Sequence, residues 1–164
     1  MKQTPAAPSA VDSFQRPLRT LVADDSVVLL RSLCAYLKTQ PLFQVVGTAI
    51  DGREALQMAE LLGPDLVLMD LNMPVVDGFQ ATAILRSRAP SIRIIVMTLE
   101  DSATAEAKAR AHGAHGFIGK QRIIKDLVSN VRQIFHPDTH EGRAKQFTPR
   151  YNTEEVPETR NVLP

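Results

Sequence analysis

The sequence lacks several features that would each announce a class of protein. It has a single cysteine, Cys34, among 164 residues. One cysteine can form neither an internal disulfide nor a thiolate metal cage, so a reducing, cytoplasmic compartment is expected. The formal net charge is only +1, which argues against a nucleic-acid surface and against an acidic interaction tail. No apolar run approaches the roughly 18 residues of a membrane span, so no membrane contact is expected. The opening "MKQTPAAPSAVDSF" carries one Lys and no apolar core, unlike a secretory signal. The four histidines, His112, His115, His136 and His140, show no ligand spacing with Cys34 and read as surface or satisfied residues.

What is present is ordinary for a soluble globular domain: 44% hydrophobic and 23% charged residues. The length suits one domain with tails. Residues 1–16 are rich in Ala, Pro and Ser and read as a disordered lead-in. A regular alternation then runs over 17–136. Strands are predicted at 18–23, 43–50, 65–70, 92–98 and 114–120, and helices at 27–40, 52–62, 79–88, 102–112 and 123–135. Ser26 and Asp51 are the predicted N-caps of the first two helices. In the first helix Val28, Leu29, Leu33 and Leu37 share the predicted apolar face; in the last, Ile124, Leu127, Val128, Val131 and Phe135 do. Ile123 and Ile134 fall off that stripe, as core packing or as partner or dimer contacts. The stretch 137–164 lacks periodicity, and its 28 residues fall short of an independent fold, so it reads as a flexible extension without an output domain. Five strands alternating with five helices give an α/β class, an open five-stranded parallel sheet covered on both faces.

The chemistry gathers at strand ends, where open α/β sheets place their sites. Asp24 and Asp25 follow the first strand, and Asp70 ends the apolar run "LVLMD". Three carboxylates in one place repel one another, and a hard cation such as Mg²⁺ resolves the conflict with oxygen ligands. Thr98 ends the fourth strand and can donate a hydroxyl; Lys120 follows the fifth and brings an ammonium. A carboxylate nucleophile, a metal, a hydroxyl and an ammonium fit phosphoryl transfer onto a carboxylate.

These residues, in "ADDS", "LMDLNMPVVDG", "MT" and "GAHGFIGK", closely resemble the receiver domain of bacterial two-component response regulators. The likeness covers about residues 17–136 and implies a doubly wound, flavodoxin-like (βα)5 fold. It makes Asp70 the phosphoacceptor, Asp25 a direct Mg²⁺ ligand and Asp24 a ligand or the holder of a metal-bound water. The backbone carbonyl of Asn72 would complete the protein's share of the coordination. Thr98 and Lys120 would bind the phosphoryl group, and Phe117 matches an aromatic switch position that swings inward as Thr98 shifts. Pro74, Asp77 and Gly78 match the family's loop. The implied partners are a histidine kinase or histidine phosphotransfer protein upstream and a further protein downstream.

Two positions depart from the pattern. Gln121 follows Lys120 where the family carries a cis-bonded Pro, and a trans Lys120–Gln121 bond with a re-routed loop is expected. Leu99 stands where the family tends to carry Ala or Gly and would narrow the way to Asp70. Three other functions compete with this one. A haloacid-dehalogenase-type phosphatase needs a second Asp two residues after the nucleophile, and Asn72 cannot supply that proton. Dinucleotide binding needs G-x-G-x-x-G after the first strand, which "ADDSVV" lacks. A DNA-binding regulator whose output domain is missing from this chain stands as the alternative to a stand-alone switch signalling by protein contact.

Overall fold

A computed structural model describes residues 14–136. The parallel strands β1 (Leu18–Ala23), β2 (Phe43–Ala49), β3 (Leu66–Asp70), β4 (Arg93–Thr98) and β5 (Gly116–Gly119) form one sheet in the order β2-β1-β3-β4-β5. The helices between and after them are α1 (Val27–Lys38), α2 (Gly52–Leu62), α3 (Gly78–Arg88), α4 (Ala103–Ala111) and α5 (Ile123–Phe135). Between β5 and α5 the chain makes one 3-10 turn, Lys120–Arg122. This is the open parallel sheet predicted from the alternation, in the doubly wound form that the resemblance implies. The predicted tail 137–164 and lead-in residues 1–13 lie outside the described residues. Phe14 and Arg16, at the end of that lead-in, are tied to the domain. Phe14 packs edge-on to Phe135, and Arg16 pairs with Asp65 at 2.7 Å.

The sheet is buried on both faces, and alternate residues of each strand separate two cores. Val22, Leu66, Leu68, Ile95, Met97 and Ile118 meet α1 and α5 through Leu30, Leu33, Leu37, Leu127 and Val131. Leu21, Val67, Met69 and Ile94 meet Ala55, Ala59, Ala81 and Leu85 of α2 and α3 on the other face. Helix α4 has only Ala105 and Ala109 to bury, against Val96 and Phe117. Ser26, Asp51, Asp77 and Ser102 each accept a backbone N–H of the first helical turn, so α1 to α4 all carry side-chain caps.

The phasing of two helices differs from the sequence expectation. In α1 the buried set is Leu30, Leu33 and Leu37, while Val28 is exposed. In α5 the buried set is Ile123, Leu127 and Val131, while Ile124 is exposed. Ile123 is therefore core and not a partner contact; Ile134 packs against the same core, over Gly116. The edge strand β2 carries an irregularity: Thr20 pairs with Val45 but Leu21 pairs with Gly47, leaving Val46 out of register. Among the described residues no helix is long and apolar enough to cross a membrane.

Candidate functional site

Strand order reverses between β1 and β3. Their carboxyl ends therefore open onto the crevice where a doubly wound sheet binds its ligands. Asp24 leaves β1 and Asp70 closes β3, both fully buried, while Asp25 is exposed at the rim. Carboxylate oxygens of all three lie within 4.8 Å of one another. Lys120 reaches in from the 3-10 turn, its Nζ 2.7 Å from Asp24 Oδ2 and 3.0 Å from Asp70 Oδ2. Burial opposes the Lys120 charge, but Asp24 and Asp70 more than offset it and hold its pKa above the usual lysine value. Burial dominates at Asp70 and raises its pKa, against the pull of Lys120 and the Asn72 backbone amide, with the Asp24 charge adding to the rise.

The donor set suits a hard divalent cation. One ammonium faces three carboxylates, and Asp70 Oδ1 is buried without a hydrogen-bond partner among the described residues. Asp24 Oδ2 has only its ion pair with Lys120. Oxygen atoms alone, two of them from buried carboxylates, are what Mg²⁺ prefers. Asp24, Asp25 and Asp70 could hold such an ion, and the exposed Asn72 sits two residues past β3, at the same edge.

Backbone packing fixes Asp70. A Cβ on Gly78 would overlap the Asp70 carbonyl and come within 2.8 Å of Leu71 Cα, so only glycine lets α3 begin this close to β3. The Gly78 N–H donates to the Leu71 carbonyl at 3.0 Å and locks the approach. Gly78→Ala is expected to destabilise the domain by about 2 kcal/mol or more, since backbone must move to admit the methyl group. Chemical denaturation would measure this, and an unchanged midpoint would refute the packing argument. In the same loop the Val76 N–H donates to the Pro74 carbonyl at 2.8 Å across Val75, which has φ +68°. A β-branched residue is strained there. Val75→Gly should raise stability by about 1 kcal/mol, because a residue without Cβ takes that turn unstrained and Val75 is exposed. A lower unfolding midpoint would count against it.

Thr98, buried at the end of β4, accepts the Glu100 N–H at 3.1 Å, which leaves its hydroxyl hydrogen to donate. Phe117 pairs with Val96 across β4 and β5 and lies covered among Val96, Ala105, Ala109 and Ala114. The Lys120–Gln121 bond is trans, and the Gln121 side chain donates to the Leu99 carbonyl at 3.3 Å. The two departures from the family pattern are thus joined to each other. Leu99 itself is 66% exposed. Sequence reasoning did not find Arg122, whose guanidinium holds Asp101 at 2.9 Å and Asp126 at 3.1 Å and so braces the loops after β4 and β5. Gly119 leaves room for Asp101, whose carboxylate a Cβ there would approach to 2.8 Å.

The family model described as "Response regulator receiver domain" matches residues 20–132. A protein-glutamate methylesterase/protein-glutamine glutaminase of Myxococcus xanthus is 39% identical over 113 residues, which is 68% of this chain and 32% of that protein. The response regulator domain of Thermotoga maritima CheB superposes with a TM-score of 0.68 at 31% identity, over 76% of this chain and all of that one. The signal receiver domain of the Mycobacterium tuberculosis response regulator NarL does so with a TM-score of 0.64 at 30% identity, over 70% of this chain and 95% of that one. The chain spans about a third of the length of the methylesterases it matches.

Proposed function

The chain belongs to the response regulator receiver domain family, and on that premise we propose that Asp70 is its phosphoacceptor and that Asp24, Asp25, Asp70 and the Asn72 carbonyl hold its Mg²⁺. A receiver domain is a phosphorylation-dependent switch in two-component signalling. The observation that carries the assignment is the convergence of three carboxylates and one buried ammonium at the β1/β3 crevice. An Asp70 oxygen attacks phosphorus, the bond from phosphorus to the donor's histidine nitrogen breaks, and the imidazole leaves with the electron pair. Lys120 shifts from the carboxylates to a phosphoryl oxygen and the Thr98 hydroxyl donates to another; both stabilise charge that grows in transfer. Bound Mg²⁺ would neutralise the carboxylates and orient the phosphoryl oxygens.

The readout we propose runs through Thr98 and Phe117 to α4. The Phe117 ring is already covered by α4, so its response to phosphorylation is a repacking beneath a helix whose buried residues are two alanines. A donor protein has apolar surface to meet. Val27 follows Asp25 by two residues, Val75 lies in the loop after Asp70, Leu99 follows Thr98, and Ile124 lies four residues past Lys120; all are exposed. A histidine kinase or phosphotransfer protein is the upstream partner these features fit, and the site is a cytoplasmic one. The chain would act by protein contact, without turnover of a free substrate. The methylesterase relatives support a second reading, in which the domain governs an enzymatic output elsewhere in a longer protein.

Mg²⁺-dependent uptake of label from acetyl phosphate tests the proposal; no uptake from any phosphodonor, protein or small molecule, would overturn it. Leu99→Ala is expected to raise both the rate of labelling by acetyl phosphate and the rate of hydrolysis about threefold, equivalent to ~0.6 kcal/mol of barrier. Equal rates in the two proteins would remove Leu99 from the access route.

A further inference from the structure

At the end of the sheet opposite Asp70, three nitrogen donors face one another. Arg93 opens β4, Arg86 lies in the last turn of α3, and His115 immediately precedes β5. Arg86 Nη1 and Arg93 Nη1 each lie 3.2 Å from His115 Nε2. The other ring nitrogen decides where the imidazole proton sits. The Ile94 backbone N–H donates to His115 Nδ1 at 3.0 Å, so Nδ1 presents a lone pair and the neutral ring carries its hydrogen on Nε2. Burial, followed by the charges of Arg86 and Arg93, lowers the His115 pKa to about 4, so the ring is neutral near pH 7.

Two guanidinium groups and an imidazole N–H are therefore aimed at a shared space, with an acceptor supplied by none of them. No carboxylate pairs with Arg86 or Arg93 among the described residues; every salt bridge there involves other cations. The cluster is also held in place. Arg86 Nη1 donates to the Pro90 carbonyl at 3.1 Å, and the Arg86 stem runs where Gly113, at φ +95°, has no Cβ. Arg86, Arg93 and His115 are all half-buried, which lessens screening by water while leaving the cluster open to a solute.

We propose that Arg86, Arg93 and His115 bind a small oxyanion of the phosphate type, whose oxygens accept hydrogen bonds from the three side chains. A tetrahedral oxyanion fits better than a monatomic anion, because its several oxygens serve donors that approach from three elements. Charge complementarity agrees, with two permanent cations and no acid to compete. The site is separate from the phosphoryl-transfer chemistry: β4 carries Arg93 at its first residue and Thr98 at its last.

The test is an NMR titration of the full, isotopically labelled chain with inorganic phosphate, without Mg²⁺ and at constant ionic strength maintained with sodium chloride. The His115 ring and the side-chain N–H signals of Arg86 and Arg93 should shift along a saturating curve. Arg93→Gln should weaken binding at least tenfold, and Arg86→Lys, which keeps the charge but loses the fork of donors, should weaken it as well. Dispersed backbone spectra of both variants show whether each is folded. The proposal fails if the His115 signals do not saturate, if folded Arg93→Gln binds as tightly as the parent, or if phosphate moves only Lys120 and Thr98. It also fails if chloride alone saturates the same signals.

Discussion

Asp70→Asn is expected to take up no label from acetyl phosphate or from a phosphorylated histidine partner while remaining folded. The amide is nearly isosteric with the carboxylate but has no anionic oxygen to attack phosphorus. Because burial raises the pKa of Asp70, its charge at neutral pH is held at a cost, and removing it relieves that cost. Thermal stability of the variant should therefore equal or exceed that of the parent, even though Lys120 loses one of its two ion pairs. Label on Asp70→Asn at the parent rate would move the acceptor elsewhere. Loss of label together with loss of fold would leave the chemistry to be read from Asp70→Glu, which retains a carboxylate but extends it by one methylene and should be labelled far more slowly.

Lys120→Met should be the most destabilising single change in the site, and the most dependent on metal. The Lys120 side chain is 10% exposed and pairs with Asp24 and Asp70 side chains that are 0% and 2% exposed. Removing the cation from a buried pair typically costs about 3–5 kcal/mol, because the remaining charges stay buried without compensation. Mg²⁺ bound as proposed would supply the missing positive charge, so the unfolding temperature of Lys120→Met should rise with added Mg²⁺ more steeply than that of the parent. In the parent a bound ion would share Asp24 and Asp70 with an ammonium already in place. Phosphoryl uptake should also slow by roughly a hundredfold or more, as expected when one group stabilising the developing charge is lost. The two readouts are a thermal-shift series in Mg²⁺ and the initial rate of labelling. Equal Mg²⁺ responses in both proteins would show that Lys120 does not share its carboxylates with a metal.

Much of this site was legible from the sequence because its chemistry sits at the ends of apolar runs. "LVLMD" reads as a buried strand with a charge at its edge, and "ADDS", Thr98 and Lys120 occupy equivalent places at the ends of neighbouring strands. The N-caps Ser26 and Asp51 were equally local. Helix phase was less so. In α1 and α5 adjacent positions are both apolar, Val28 to Leu30 and Ile123 to Ile124, and a period of 3.6 fits either choice until the sheet selects one. The sheet buried Leu30 and Ile123 and left Val28 and Ile124 at the surface. Features built from distant segments were not readable at all. The contact of Gly78 with the Asp70 carbonyl, the Arg122 brace and the meeting of Arg86, Arg93 and His115 each join elements whose pairing is a property of the fold.

The out-of-register Val46 on β2 has a consequence for how these molecules meet one another. A sheet with two open margins is a template for adding foreign strands, and proteins that must stay dissolved interrupt such margins. Here one margin is broken by Val46, and the opposite one, β5, offers only four residues before the chain coils away at Lys120. Neither margin presents a long, flat ladder for end-on growth. Strand addition at either margin of the described sheet is thus disfavoured, and concentrating the domain should not yield fibrils.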